Sequence, residues 1–257
     1  MHSYSPNWYK DFFRDIALDY WQLASSEHST SDEMTFIGNF VDLKHGDKVL
    51  DVFCGHGRHA LAYAQKGMVV TAVDVAESYI KALQRVALLQ KLSLKAVCSD
   101  VLAWKPTKEL YDLVICMGNS IPYLNRVQLE VFLDNIQHCL KKNGSFVFHT
   151  SMLAESVFPN LMEYDWKQVG DMTFLLKNTY WVETGCLESE VTFIKEGNKV
   201  KRTMYHYVYS LSEMVYWFKS FGFDVVGVLN AAGEVYEYGD VDAYFVVKLD
   251  EGDDEED

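Results

Sequence analysis

Short hydrophobic runs rich in β-branched and aromatic residues alternate along this chain with stretches whose hydrophobic residues recur every three or four positions. The first pattern predicts strands and the second predicts helices. Seven strands are predicted, at Lys48–Phe53, Met68–Val73, Leu94–Cys98, Asp112–Met117, Ser145–Thr150, Phe223–Leu229 and Ala243–Leu249. Because helical stretches separate most of them, the order predicts βαβ units and a mostly parallel sheet, in an α/β fold.

The helices have start and stop signals of their own. One is predicted to end in the basic turn Lys141-Lys142-Asn143-Gly144, and another to begin at the capping box Ser210-Leu211-Ser212-Glu213 and stop at Gly222. Ahead of the sheet, Asn7–Leu23 predicts one helix crowded with aromatic residues. Thr30-Ser31-Asp32-Glu33 predicts the cap of a second.

The alternation changes between the fifth strand and the last helix. Trp166–Thr184, Leu187–Lys195 and Val200–Tyr209 predict three strands, joined at Gly185 and at Glu196-Gly197-Asn198. Such hairpins predict an antiparallel insert. We therefore expect an N-terminal helical cap in residues 1–45, one α/β domain in residues 46–249 with the insert at about 160–209, and an acidic disordered tail in residues 250–257.

Composition and charge fit a soluble globular chain. Of its 257 residues 49% are hydrophobic and 23% charged, which is enough to bury a full core. Half of the net charge of −14 comes from the seven carboxylates of residues 250–257. The rest of the chain has a net charge of −7. An acidic body repels a phosphate backbone, so we expect no nucleic acid as a partner.

The cysteines and the hydrophobic runs of the chain indicate its cellular compartment. The five cysteines are widely spaced with no C-x-x-C pair, so we expect reduced thiols. No basic segment precedes a hydrophobic run, and no eighteen apolar residues follow one another. These features predict no membrane association and a cytoplasmic protein.

A glycine-rich turn carries the densest chemical signal. A buried strand runs from Val49 into Cys54-Gly55-His56-Gly57-Arg58-His59 and then opens a helix, which is typical of a turn that binds a ligand at a helix N-terminus. With Ala60 in the third small position and Asp74 seventeen residues after Gly57, it also satisfies G-x-G-x-x-A. That pattern keeps a dinucleotide site open.

Three further features favour a different ligand. Asp51 lies inside the strand just before the turn, where a carboxylate suits an ammonium group and not a pyrophosphate. Asp100 follows the third strand. The fourth strand ends in Met117-Gly118-Asn119-Ser120-Ile121-Pro122-Tyr123.

In order and spacing, residues 47–249 resemble the class I S-adenosylmethionine-dependent methyltransferases, and Gly118-Asn119-Ser120 is similar to the cofactor loop of glycine N-methyltransferase and its small-molecule relatives. The resemblance implies a seven-stranded Rossmann-like sheet with helices on both faces. It also implies that the first turn cradles the methionine part, Asp74 binds the ribose, Asp100 faces the adenine amine, and Val101 donates a backbone amide. The predicted cofactor-binding residues are Asp51, Phe53, Cys54, Gly55, Gly57, Arg58, Asp74, Val75, Asp100, Val101, Met117 and Gly118.

The charges of the predicted site residues suit such a cofactor. A sulfonium cation suits an acidic and aromatic site, and two ribose hydroxyls suit a carboxylate at a strand end. Arg14, Arg58 or backbone amides could hold the methionine carboxylate. The adjacent prolines that nucleic-acid amino-methylating relatives carry after the fourth strand are missing here, which argues against a flipped base as acceptor.

Several side chains are candidates for binding, orienting or deprotonating the acceptor. His149 closes the fifth strand and could act as a general base or simply be a hydrogen-bonded strand-end histidine. Asn119 and Tyr123 could orient the acceptor. His206 could line its pocket or pack within the insert. His56 and His59 form H-x-x-H without a third ligand, so no metal is predicted.

The N-terminal aromatic residues Trp8, Tyr9, Phe12 and Phe13 could form a lid, a core or a dimer contact. Together these features predict methyl transfer from S-adenosylmethionine to a nitrogen or oxygen of a small molecule by in-line displacement, with S-adenosylhomocysteine as product. The alternatives are an RNA or protein methyltransferase, a non-catalytic S-adenosylmethionine-binding regulator and, last, a nicotinamide dehydrogenase. A homodimer stays open.

Overall fold

The computed structural model describes residues 7–26, 30–105 and 110–249. Its main sheet has seven strands in the order β10-β11-β5-β4-β1-β2-β3, all parallel except β11, which runs antiparallel to both neighbours. The strands are β1 (Lys48–Val52), β2 (Val69–Asp74), β3 (Leu94–Cys98), β4 (Tyr111–Cys116), β5 (Leu140–Thr150), β10 (Phe223–Leu229) and β11 (Ala243–Leu249). The predicted α/β fold with a seven-stranded sheet is confirmed.

The central strands are hydrophobic on both faces because helices cover both. In β1, Val49 and Leu50 are fully buried, and they belong to separate hydrophobic clusters on opposite sides of the sheet. The helices that connect the parallel strands are α4 (Arg58–Gln65), α5 (Glu77–Leu89) and α6 (Arg126–Cys139), and α8 (Leu211–Ser220) precedes β10. Asn125 caps α6 with a capping box, while Ser210 caps α8 by accepting from the amide of Glu213 at 3.1 Å.

The strand order reverses beside β1, and this reversal places the cleft. β2 and β3 lie to one side of β1, and β4 and β5 lie to the other. In an open parallel sheet, the loops at the carboxyl ends of strands diverge at such a point and leave a crevice. Here those loops are the glycine turn after Val52 and the loop after Cys116.

The antiparallel insert is confirmed, with one strand more than predicted. It contains β6 (Tyr164–Val169), β7 (Met172–Trp181), β8 (Cys186–Lys195) and β9 (Asn198–Tyr207), which pair in that order. The prediction of one strand over Trp166–Thr184 is wrong because the chain reverses at Gly170-Asp171, where Gly170 has a φ of 56°. The turn at Glu196-Gly197 agrees with the sequence, with both φ angles positive as a two-residue hairpin requires.

The N-terminal region also differs from its prediction. Instead of one helix over Asn7–Leu23, there are α1 (Tyr9–Phe12) and α2 (Ile16–Ser26), separated where Asp15 takes a φ of 52°. Helix α3 (Thr30–Gly38) follows, and the carboxylate of Glu33 in its first turn binds Arg58 and His59 of α4. The aromatic side chains of α1 and α2 pack against the insert.

Smaller differences concern element ends. The predicted basic turn at Lys141–Gly144 lies within β5, since α6 already ends at Cys139. A short helix α7 (Ala154–Asn160) and a 3₁₀ helix (Ile121–Tyr123) were not predicted. The acidic tail predicted in residues 250–257 lies outside the described residues. None of the helices in the described part of the chain is both long and apolar enough to cross a membrane.

Candidate active site

The turn after β1 has an unusual backbone. Phe53, Gly55 and Gly57 all have positive φ angles, of 53°, 54° and 83°. A side chain at Gly57 would bring its Cβ within 2.6 Å of the buried Leu83, so this position requires glycine. At Gly55 nothing lies within 4 Å of where a Cβ would be. Residues other than glycine seldom adopt such angles, and where they do a functional constraint is common.

Two carboxylates hold this turn in place. Asp74, the last residue of β2, accepts from the amide of Gly55 through Oδ2 and from the amide of Ala76 through Oδ1, both at 2.8 Å. Asp51 is 2% exposed and accepts from the amide of Ala60 at 3.2 Å. Burial raises the pKa of both, that of Asp51 to about 7. A carboxylate can accept about four hydrogen bonds, so each acid can still accept from a ligand beside the turn.

Asp100 lies beyond β3 and is covered by α1. Its Oδ1 accepts from the Tyr9 hydroxyl at 3.3 Å and from the amide of Leu102 at 3.0 Å, and its Oδ2 lies 2.5 Å from Lys10 Nζ. The neighbouring Val101 is buried. The acid that the resemblance assigns to the adenine amine is thus bound by two donors from the N-terminal helix. Neither donor was predicted; the aromatic density of Asn7–Leu23 was the signal that this segment covers something.

The loop after β4 forms the opposite wall of the cleft. Met117 is buried, Gly118 has a φ of 89° with open space at its Cβ position, and Asn119 has a φ of 66°. The side-chain oxygen of Asn119 accepts from Thr150 Oγ1 at 3.0 Å and from the amide of Ser151 at 2.9 Å. Asn119 therefore ties this loop to the end of β5.

Tyr123, in the 3₁₀ helix that follows, is buried among aromatic rings. It stacks on Tyr9 at a centroid distance of 6.0 Å and meets Trp8 edge-on at 5.0 Å. Its other ring neighbours are Phe13, Phe53 and His206. Burial raises the pKa of the Tyr123 hydroxyl, so it is a hydrogen-bonding group and not a phenolate at neutral pH.

His149 has a different set of neighbours. Its Nε2 lies 2.9 Å from Asp242 Oδ1, and its ring centroid lies 4.8 Å from that of Tyr244. The buried Nδ1 has no hydrogen-bond partner among the described residues. His149 therefore forms a histidine–carboxylate pair at the end of β5, while Tyr123 belongs to the aromatic cluster around Trp8.

Arg58 is held by α3. Its guanidinium binds the Glu33 carboxylate and donates to Thr30 Oγ1 at 3.2 Å, while His59 Nε2 lies 2.9 Å from the same carboxylate. Burial alone would raise the pKa of Glu33, but the bonds from His59 and Arg58 lower it to about 2. In the described ranges no three His, Cys, Asp or Glu side chains are grouped as metal ligands.

A groove of about 420 Å³ opens elsewhere, on the antiparallel sheet. Tyr164, Leu175 and Lys201 are among the residues that line it, and none of the predicted site residues does. We place the candidate site at the strand-order reversal and not in this groove, because the reversal is where the glycine turn, the acids and the aromatic cluster meet.

Comparison with known proteins gives the same assignment for the central region. Residues 49–144 match the family model described as a methyltransferase domain. This match and the relatives described below support a class I S-adenosylmethionine-dependent methyltransferase. A ubiquinone biosynthesis O-methyltransferase of Coxiella burnetii (strain Dugway 5J108-111) is 28% identical over 192 residues, which cover 68% of this methyltransferase and 79% of the relative.

Solved structures share the fold of this methyltransferase. An S-adenosylmethionine-dependent methyltransferase from Clostridium acetobutylicum superposes with a TM-score of 0.78 at 17% identity, over 95% of this chain and 100% of the other. The CcbJ methyltransferase from Streptomyces caelestis superposes with a TM-score of 0.80 at 15% identity, over 96% and 100%. At these identities the likeness shows the fold alone.

The residues at the strand-order reversal fit such a cofactor through their open backbone and their acceptors. Gly55 and Gly118 leave open space above the backbone on the two walls. Asp51, Asp74 and Asp100 provide acceptors for hydroxyl and amino groups and a negative environment for a sulfonium.

Proposed function

We propose that this methyltransferase moves a methyl group from S-adenosylmethionine to an oxygen or nitrogen of a small molecule. The observation that carries the proposal is the convergence of the open glycine turn with Asp51, Asp74 and Asp100 at the strand-order reversal. When bound, the cofactor supplies an electrophilic methyl group on a sulfonium. The protein's part is to hold and orient the reactants, which is where much of the rate of such a displacement can come from.

In this proposal Asp74 binds the ribose of the cofactor. Both of its oxygens are fixed by backbone amides at 2.8 Å, and the carboxylate still has capacity to accept from a ribose hydroxyl. Asp51 supports the turn from behind through Ala60, and a methionine ammonium bound nearby would favour its charged form. With Arg58 bound to Glu33 and Arg14 exposed, backbone amides at the start of α4 become the best candidates to hold the methionine carboxylate.

Helix α1 acts as a lid in this proposal. Tyr9 and Lys10 donate to Asp100, and an adenine amine could replace those donors. The break at Asp15 between α1 and α2 gives the segment a point at which to turn. A lid that carries buried aromatic residues would exclude water from the reacting atoms.

A small acceptor fits this arrangement better than a macromolecule. The insert and α1 pack over the carboxyl edge, with Trp8, Tyr9 and Phe12 buried between them. The acidic body gives no attraction for RNA. The similarity to an enzyme named for O-methylation favours oxygen over nitrogen. Action on RNA or protein stays an alternative, cytoplasmic location stays a prediction, and a homodimer stays possible.

Calorimetric titration with S-adenosylhomocysteine tests the proposal, with NAD as the control ligand. Wild type should bind the first saturably and not the second. Asp74→Ala removes two charge-assisted hydrogen bonds, each of about 1.5–3 kcal/mol, and should weaken binding at least 100-fold. Asp134→Ala, at an exposed carboxylate of α6, is the matched control and should bind as wild type does. Unchanged affinity in Asp74→Ala would refute the cofactor assignment.

A further inference from the structure

Two buried polar atoms in the aromatic cluster have no partner. Trp8 Nε1 and His206 Nδ1 are enclosed by side chains, and neither forms a hydrogen bond within the described part of the chain. The two residues are 7% and 6% exposed, and their ring centroids lie 5.8 Å apart. An unpaired buried polar group costs about 1–3 kcal/mol. A ligand that bonded both atoms would remove that cost.

The pair lies beside the cofactor cleft. Tyr123 contacts both rings, at 5.0 Å from Trp8 and 5.4 Å from His206. Tyr123 also contacts Phe53 of the glycine turn at 6.0 Å. Trp8 comes from the lid segment, Tyr123 from the loop after β4 and His206 from β9 of the insert. These three segments therefore meet next to the place proposed for the methyl donor.

The chemistry of this pair selects an uncharged acceptor. Burial lowers the pKa of His206 to about 4, with no charged neighbour contributing, so the imidazole stays neutral and can accept a hydrogen bond. Among titratable side chains, Tyr123 contacts the His206 ring, and Tyr205 and Tyr207 flank His206 in β9. Trp8 Nε1 is a donor only. The surrounding rings favour a flat apolar molecule.

We propose that Trp8 and His206 bind the methyl acceptor, that this acceptor is a phenol-type hydroxyl compound, and that His206 is a catalytic residue. The inference rests on the proposed function. His206 Nδ1 takes the hydroxyl proton while the oxygen forms its bond to the methyl carbon, and the pair of the breaking carbon–sulfur bond stays on sulfur. A phenol, with a pKa of about 10, gives up its proton to an imidazole far more readily than an alkyl alcohol does.

Because the Trp8 and Tyr123 rings are in contact, the Trp8 ring must shift to admit the acceptor and then close on it. Opening of α1 at Asp15 would provide this movement. The movement would also release Asp100 from Tyr9 and Lys10, so entry of both reactants would depend on one segment.

Binding of 4-nitrophenol and of nitrobenzene at about pH 5.5, where the nitrophenol keeps its proton, tests the assignment without turnover when S-adenosylhomocysteine is present. Wild type should bind the phenol at least 10-fold more tightly than nitrobenzene. His206→Phe should lose this preference while retaining its affinity for S-adenosylhomocysteine. His206→Asn can still accept a hydrogen bond and should keep most of the preference, yet with S-adenosylmethionine it should form 4-nitroanisole about 100-fold more slowly.

Folding controls are available for these variants. His206→Phe removes an unpaired polar atom from apolar surroundings, so its Tm should be no lower than that of wild type. His138→Ala, on the exposed surface of α6, should match wild type in every measurement. Equal binding of the two probes by wild type, a phenol preference that survives in His206→Phe, or full turnover in His206→Asn would overturn the inference. Failure of wild type to bind S-adenosylhomocysteine would instead refute the proposed function.

Discussion

The cofactor half of the site is made of backbone from neighbouring segments, whereas the acceptor half is made of side chains from distant ones. In the first half, Asp51 binds the amide of Ala60 and Asp74 binds the amide of Gly55, so the bonds that fix the glycine turn span fewer than twenty positions. In the second half, Trp8, Tyr123 and His206 come from the lid, a loop and the insert, each more than eighty positions apart.

This difference decides what can change in each half. Glycine φ angles and strand-end carboxylates are fixed by the sheet itself, so the cofactor half tolerates few substitutions. The acceptor half depends on how an N-terminal helix and an inserted sheet pack, which another sequence can alter without disturbing β1 or β2. A shared methyltransferase core can therefore serve different acceptors.

The largest expected effect is a loss of stability in the cofactor half. It distinguishes a glycine that folding requires from a glycine that binding requires. Gly57→Ala would place its Cβ 2.6 Å from Leu83 at a φ of 83°, so we expect the free energy of unfolding to fall by about 3 kcal/mol. Gly55→Ala meets no atom within 4 Å and should lose only about 1 kcal/mol, for its backbone angle.

Gly55→Ala should nevertheless weaken S-adenosylhomocysteine binding about 10-fold or more, because its methyl group would enter the open face of the turn. Denaturant unfolding and calorimetry measure the two quantities separately. If Gly55→Ala bound normally, the open space at that position would not be ligand space. If Gly57→Ala were as stable as Gly55→Ala, the contact with Leu83 would be less restrictive than its geometry implies.

A second effect concerns pH. The pKa of Asp51 is raised from 3.8 to about 7 in the folded protein, so folding favours the protonated carboxyl. The stabilisation is complete below pH 4 and is lost as pH rises toward 7, by about 2 kcal/mol between pH 5 and 8. Asp51→Asn should remove this contribution, so its unfolding free energy should fall less than that of wild type over the same interval. Parallel pH profiles for the two proteins would contradict the assigned cause.

The same contrast explains which features could be predicted from the sequence. Strand bounds at Leu94–Cys98 and Ala243–Leu249, the glycine turn and the acids after β2 and β3 depend on local pattern, and the structure places them at one edge. The contacts of Lys10 with Asp100 and of Trp8 with His206 depend on long-range packing, which periodicity does not encode. The break at Asp15 was missed because hydrophobic spacing continues through it.

His149 and Asn119 illustrate the limit for individual roles. Both lie at strand ends near the cleft, as predicted, but position alone does not determine their partners. The oxygen of Asn119 is bonded to Thr150 and Ser151, and His149 is paired with Asp242. Their proposed action on the acceptor stays a prediction, and His206 now has the stronger geometric argument because its unpartnered nitrogen lies in the aromatic cluster beside the glycine turn.

The smallest expected effect tests whether the lid competes with the cofactor. The Lys10–Asp100 pair is partly exposed, and such pairs contribute about 0.2–1 kcal/mol. If an adenine amine replaces Lys10 at Asp100, Lys10→Ala should tighten S-adenosylhomocysteine binding up to about 5-fold and speed its association. Lys81→Ala removes an exposed pair with Glu77 on α5 and should leave both quantities unchanged. Weaker binding in Lys10→Ala would mean that Lys10 stays on Asp100 in the complex, and that the lid closes over the ligand without giving up its own contact.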